Sequence, residues 1–290
     1  MNSILEALNV SFAYGPAKWA IRGLNFSLQT PERVALLGSN GVGKSTLMLM
    51  LNGTLRPQEG ELIVLGKPID YSRAGLHQLR RRVGMVLQDP DDQLFGATVE
   101  QDVAFGPLNN GMSSEEARAL VDETLAALGI SHLAERPIHE LSLGEKKRVA
   151  IAGVLVLHPE IILLDEPTAG LDFAGICAML TLLKKLHGGG TTLVISTHDT
   201  DLAYEWANQA WVLGDGCIAA QGPIGDVLQD RATLRQAHLK VPWIVEVALA
   251  LGAQRIPRTQ DDLIQLVQHL RGQAGAPQAL KPFMALPSAV

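Results

Sequence analysis

The sequence predicts an α/β fold, with helices packed on a mostly parallel sheet and a smaller helical appendage at the C-terminal side. Three observations carry this. Short apolar stretches alternate with helical patterns, which is how a wound parallel sheet reads. Aromatic residues are only 4% of the chain against 47% for the whole apolar set, so the core is expected to consist of Leu, Val, Ile and Ala, the filling of strands buried on both faces. A length of 290 residues allows one large core and a second, smaller unit.

Taken in order, RVALLG (33–38) reads as a buried strand that runs into a glycine turn and then a helix beginning near Lys44. IILLD (161–165) is a second buried strand and ends in carboxylates; TTLVIST (191–197) is a third. Between the first two lies an inserted helical section at about 89–157. Within it, SSEEARALVDETLAALG places Ala117, Leu120, Val121, Leu125 and Leu128 at helical spacing, opens with a capping box from Ser113 to Glu116 and stops at Gly129. After about Gly222 the character shifts, and DVLQDRATLRQAH, VPWIVEVALALG and DDLIQLVQHLRG read as short amphipathic helices. In the last of these Leu263, Leu266, Val267 and Leu270 share a face. The expected division is therefore 1–222 and 223–290, with a Pro, Gly and Ala-rich tail from Gly272 expected to fray.

A formal net charge of -6 argues against a nucleic-acid partner, which normally requires a basic face. Cys177 and Cys217 lack metal-ligand spacing and are expected to be reduced, as in a cytosolic protein. MNSILEALNV has neither a basic start nor a long apolar core, so no signal peptide is expected. The apolar run VAIAGVLVL (149–157) is far shorter than the roughly 18 to 20 residues of a membrane span, so any work at a membrane is expected to be peripheral.

Gly38, Ser39, Asn40, Gly41, Val42, Gly43, Lys44 and Ser45 fit G-x-x-x-x-G-K-[ST] between a strand and a helix, and Thr46 follows. Glycines let successive N–H groups turn inward toward phosphate oxygens, and the helix N-terminus adds its positive end. Lys44 would reach the β- and γ-phosphates of a nucleotide and the Ser45 hydroxyl would ligate Mg²⁺. A second metal ligand is expected at the end of a buried strand, and Asp165 meets that demand. The adjacent Glu166 is placed to polarise an attacking water. His198 stands just past a third buried strand, where open α/β sheets present ligand-binding groups, and reads as a γ-phosphate sensor. Gln88, after another short apolar stretch, would reach the metal or the water through its amide oxygen.

The order of phosphate loop, Gln88, LSLGE (141–145), ILLDE, GLD (170–172) and His198 resembles the ATP-binding cassette (ABC) ATPases over about residues 4–222. The resemblance implies a P-loop NTPase core with ATP and Mg²⁺ as its ligands. It also implies why LSLGEKKRVAIAG looks like a second phosphate-reading element: in that family the signature segment of one subunit completes the site built on the phosphate loop of the other. By matching position, Tyr14 would stack on adenine, with Phe12, two residues away on the same strand face, as the alternative; Ser142, Gly144 and Glu145 would meet the partner's nucleotide, and Asp172 would contact the partner subunit. The segment departs from the common LSGGQ form at Leu143, which restricts the backbone, and at Glu145, which is expected to bring negative charge toward the partner's triphosphate while suiting its own helix dipole.

The run VLQDPDDQLFGATVEQDVAFGPLNNG, with EKKRVAIAGVL, is similar to the energy-coupling-factor type importers, especially the ATPases of cobalt and nickel uptake. That resemblance implies an ATP-hydrolysing subunit at the cytoplasmic face of the cell membrane, with cobalt as the preferred cargo. Its partners would be a second ATPase subunit, either a like copy or a related chain, a transmembrane scaffold docked beside Gln88 and residues 89–95, and a membrane substrate-binding subunit. The appended helices from 223 would help hold the ATPase pair together. The competing reading is a soluble cassette ATPase acting in DNA repair or translation. The first usually carries a long heptad insertion and the second a tandem cassette, and this sequence shows neither.

Overall fold

The computed structural model describes residues 3–15 and 19–273. Its strands are β1 (Leu5–Ala13), β2 (Trp19–Leu28), β3 (Arg33–Leu37), β4 (Glu59–Val64), β5 (Lys67–Pro68), β6 (Val83–Val86), β7 (Ile161–Asp165), β8 (Thr192–Thr197), β9 (Gln209–Gly214) and β10 (Cys217–Pro223). The helices of the same unit are α1 (Lys44–Leu51), α2 (Arg73–Arg82), α3 (Val99–Asn109), α4 (Ser114–Ala127), α5 (Leu143–Leu155), α6 (Phe173–Gly188), α7 (Thr200–Trp206), α8 (Ile224–Val227) and α9 (Arg231–Gln236). Further on come α10 (Trp243–Ala250) and α11 (Gln260–Gln273).

One sheet has the order β10-β9-β3-β8-β7-β6 and is parallel except for β10. β7 lies between β8 and β6 and is buried along its whole length, which is why IILLD carries no polar residue before its last position. Burying each of Ile161, Ile162, Leu163 and Leu164 stabilises the fold by about 1.5–3 kcal/mol, and Leu163→Ala would forfeit about 2–5 kcal/mol. The phosphate loop follows β3, Asp165 ends β7, and His198 and Gln88 come just after β8 and β6, so four adjacent strands deliver their groups to one sheet edge.

A second sheet, β2-β1-β4-β5, is wholly antiparallel and was not anticipated by the sequence reading. Its strands alternate rather than run apolar: in β2, Ile21, Leu24, Phe26 and Leu28 are buried between exposed neighbours. These side chains pack with Leu36, Leu47 and Met48 in one continuous core. Between β6 and β7 the chain passes through α3, α4 and α5, the helical section expected there. α4 has the expected capping box between Ser113 and Glu116 and is followed by Gly129 at φ 68.

The chain divides into compact units at Val241/Pro242, so α8 and α9 pack within the larger unit. In the smaller unit Leu263 is buried on α11 while Leu266, Val267 and Leu270 are half-buried, the face read from the sequence. The expected frayed tail beyond 273 lies outside the described residues. Among the described residues no helix is long and apolar enough to cross a membrane, and Cys177 and Cys217 are free thiols.

Candidate active site

The phosphate loop leaves β3 and re-enters α1 at Lys44 with Gly41 at φ 77 and Gly43 at φ 112. A Cβ on Gly43 would sit 2.6 Å from the Ala20 carbonyl oxygen, so the junction of loop and helix accepts only glycine. Lys44 is buried; its Nζ donates to the carbonyls of Gly38 (2.8 Å) and Ser39 (3.3 Å) and lies 3.7 Å from Glu166 Oε1. Burial pushes its ammonium below the ordinary lysine value, against the opposing pull of Glu166 and Asp165.

The carboxylates at the end of β7 are fixed from β8. Ser196, the register partner of Asp165, donates its hydroxyl to Asp165 Oδ1 and accepts the Glu166 N–H at 3.0 Å. Glu166 then leaves the strand at φ 42, a left-handed conformation that costs a non-glycine residue about 1–2 kcal/mol. Beyond this turn, His198 Nδ1 meets Glu166 Oε1 at 3.0 Å. Glu166 is nearly buried (side chain 10% exposed) while His198 is open (59%), so the pair joins a buried oxygen to an accessible ring.

These groups line one open cleft of about 1100 Å³ that holds Tyr14, residues 39–46, Gln88, Asp165, Glu166 and His198. Phe12 is buried, whereas Tyr14 is 69% exposed with its hydroxyl 3.1 Å from Thr46 Oγ1, so of the two aromatics only Tyr14 offers a ring to a ligand. Trp19 and Asp215 also line the cleft, and neither belongs to a motif.

The signature segment is elsewhere. Ser142, Gly144, Glu145 and Asp172 do not line the cleft. Ser142 is the N-cap of α5 in a capping box with Glu145, whose Oε2 accepts both the Ser142 N–H and its hydroxyl at 2.8 Å. Oε1 faces Arg136 at 3.4 Å. The Ser142 donors, above all its N–H, hold the Glu145 carboxyl below the usual carboxylate range, with Arg136 adding to the effect. Within the single chain the Glu145 carboxylate is folded back on its own helix end. Leu143 projects onto the GLD turn, where its Cδ2 would stand 2.8 Å from a Cβ on Gly170. Asp172 caps α6 by accepting the Gly175 N–H at 2.7 Å.

Two functional neighbours were missed. Ser196 is one, and its signal was a hydroxyl directly after the apolar run LVI in a fully buried strand. Lys147 is the other: it is buried on α5, three and four residues before the buried Ala150 and Ile151, a spacing that marks it as inward-facing. Its Nζ donates to the carbonyls of Gln88 and Glu166, both at 3.2 Å. Burial lowers its pKa, opposed by Asp89, Glu166 and Asp165.

Among the described residues no cluster of three or more His, Cys, Asp or Glu side chains makes a metal cage. The oxygen donors on the cleft, Ser45, Asp165 and the Gln88 amide, instead suit a hard divalent ion that completes its shell with water and phosphate, as Mg²⁺ does.

A glycine-rich loop on the central strand of a parallel sheet, facing strand-end carboxylates, defines a P-loop nucleotide-binding ATPase. The chain belongs to the ABC transporter family, whose family model matches residues 21–169. It is 50% identical over 270 residues to the cobalt import ATP-binding protein CbiO of Rhodobacter capsulatus, covering 91% of this chain and 96% of that protein. It is 46% identical over 244 residues to the energy-coupling factor transporter ATP-binding protein EcfA of Methanocaldococcus jannaschii, covering 84% and 88%. Among solved structures it is similar to cbiO1 from Clostridium perfringens, described as part of the ABC transporter complex cbiONQ, with 42% identity, TM-score 0.74 and coverage of 86% and 100%. It is also similar to a dimeric bacterial ABC transporter cassette, MJ0796, with 29% identity, TM-score 0.69 and coverage of 76% and 98%.

Proposed function

We propose that this chain is the ATP-hydrolysing subunit of an energy-coupling-factor type importer, most directly one for cobalt ions, working as a peripheral protein on the cytoplasmic face of the cell membrane. The similarity to a cobalt import protein and to an energy-coupling factor subunit supports the branch. One observation carries the mechanism: Tyr14, the phosphate loop, Gln88, Asp165, Glu166 and His198 share a cleft from which Ser142, Gly144, Glu145 and Asp172 are absent. A second copy that brings its signature segment onto this cleft supplies the missing wall.

In this reading Tyr14 stacks on adenine, the N–H groups of residues 38–46 and the Lys44 ammonium surround the phosphates, and Ser45, Asp165 and Gln88 would hold Mg²⁺. Bound there, the ion would offset phosphate charge as it builds toward the leaving group. Glu166 accepts the proton of the attacking water, a contribution of about 10² to 10⁴ in rate. His198, hydrogen-bonded to Glu166, orients that carboxylate and meets the γ-phosphate. The Ser142 hydroxyl and the start of α5 approach the partner's phosphates, while Asp172 and the neighbouring exposed Phe173 face the partner subunit.

The cassette of residues 1–222 carries this chemistry, and the helices from 223 help hold the pair. A transmembrane scaffold subunit docks beside Gln88 and residues 89–95, where Phe95 and Phe105 form an exposed edge-to-face pair next to exposed Leu108. A membrane substrate-binding subunit completes the importer.

The mass of the full chain in solution with Mg-ATP, wild type against Glu166→Gln, tests the reading. An ATP-dependent dimer that accumulates only in the variant, together with loss of hydrolysis, is the expected result. A Glu166→Gln protein that hydrolyses ATP at the wild-type rate would remove Glu166 as the base.

A further inference from the structure

The left-handed turn at Glu166 needs support, because a glutamate in that region relaxes unless its surroundings over-determine it. Support comes from both sides of the residue. The N–H is taken by Ser196 at 3.0 Å, from the neighbouring strand. The carbonyl accepts the Ala169 N–H at 3.1 Å and, from a different part of the molecule, the Lys147 ammonium at 3.2 Å. Lys147 belongs to α5, the helix that opens with the signature segment, and the same ammonium holds the Gln88 carbonyl.

α5 is joined to residues 87–93 at successive points. Lys146 Nζ bonds Asp91 Oδ1 at 2.6 Å, and the Gln93 side chain bonds the Ala150 carbonyl at 3.1 Å and the Leu87 N–H at 2.9 Å. These bonds tie α5 to the segment after β6. The Lys147 bonds go further, since they also reach the end of β7. A buried ammonium is costly to desolvate, and a methionine or leucine would fill the same space without that cost. What the lysine adds is N–H donors aimed at two backbone carbonyls on different loops of the cleft.

We propose that Lys147 is a positioning residue for hydrolysis: from the signature helix it locks the Glu166 and Gln88 carbonyls together, and so sets the aim of the Glu166 carboxylate. The proposal rests on the reading of Glu166 as the base. Lys147 does not line the cleft, so nucleotide binding is left to other groups. Movement of α5 then shifts the Glu166 and Gln88 peptides as one.

The test uses the full-length protein as wild type, Lys147→Met and Lys147→Gln, with backbone amide hydrogen exchange followed residue by residue and steady-state ATP hydrolysis measured in parallel. In Lys147→Met the amides of Glu166 and Ala169 exchange at least about tenfold faster while those of Val149 and Ile151 in α5 keep their protection. The kcat falls about 10- to 100-fold, the order produced by a misplacement of about 1 Å, and the KM for ATP stays within about twofold. Lys147→Gln, whose amide still carries N–H donors, recovers part of kcat. Unchanged exchange at Glu166 and Ala169 in Lys147→Met overturns the proposal, as does loosening spread evenly over α5 and β7, which would make Lys147 a general packing residue. Wild-type protein that shows no hydrolysis sensitive to Glu166→Gln sinks the reading of the base instead, and the exchange data still decide whether Lys147 holds the turn.

Discussion

Replacing Glu145 by Gln separates two accounts of the signature segment. If the glutamate faced a neighbouring triphosphate, removing its charge would strengthen ATP-driven pairing. If it serves its own helix end, the charge matters to folding and not to pairing: within the chain it accepts from the Ser142 N–H and hydroxyl at 2.8 Å and faces Arg136 at 3.4 Å. A glutamine oxygen can keep the capping bonds, so what is lost is the charge. Its interaction with the helix end accounts for about 0.3–1 kcal/mol and the half-exposed Arg136 pair for up to about 1 kcal/mol. A total of about 0.5–2 kcal/mol lowers Tm by about 1–8 °C in a unit of this size. The sign with pH follows from the depressed folded-state pKa. The contribution is full above the unfolded value of 4.5 and is lost as pH falls through the lower folded value, so the Tm gap seen near neutrality closes in acid. Calorimetry at about pH 7 and about pH 3.5 measures the gap, and sedimentation with Mg-ATP in a Glu166→Gln background measures pairing, which is expected to change by less than about threefold. Pairing tightened about tenfold or more, equivalent to about 1.4 kcal/mol, would place the carboxylate against the triphosphate and refute the argument.

Gly43→Ala would force a Cβ to 2.6 Å from the Ala20 carbonyl and 2.8 Å from Ile21 Cδ1 at φ 112. Strain and overpacking of about 2–5 kcal/mol lower Tm by about 4–20 °C, and titration with a fluorescent ATP analogue shows binding lost. Tyr14→Ala weakens ATP binding by about 2- to 10-fold while Tyr14→Phe preserves it, and Phe12→Ala reduces Tm through loss of a buried ring. Calorimetric titration of these variants checks the assignment, and equal affinity in Tyr14→Ala would remove Tyr14 from the adenine site.

Much of this arrangement is legible in the chain. RVALL, IILLD and TTLVIST announce β3, β7 and β8 because strands buried on both faces admit almost no polar residues. Ser113 and Glu116 mark the start of α4 through a bond pattern that is wholly local. The antiparallel sheet escapes the same reading because its strands are covered on one face, and the alternation in WAIRGLNFSL is broken by Gly23. The Ser142/Glu145 capping box repeats the local pattern of Ser113 and Glu116, whereas the hold of Lys147 on Glu166 spans nineteen residues and is set by tertiary packing that local patterns do not encode.

Because the phosphate loop, His198, Asp165 and Gln88 issue from the neighbouring strands β3, β8, β7 and β6, their spacing across the cleft is set by main-chain pairing. Adjacent strands lie about 4.8 Å apart, so the four origins span roughly 14 Å, and that pitch is indifferent to which side chain occupies each position. Substitution can lengthen, shorten or neutralise any one group, yet its address along the row stays put. A family built this way can retune its chemistry position by position without redrawing the frame.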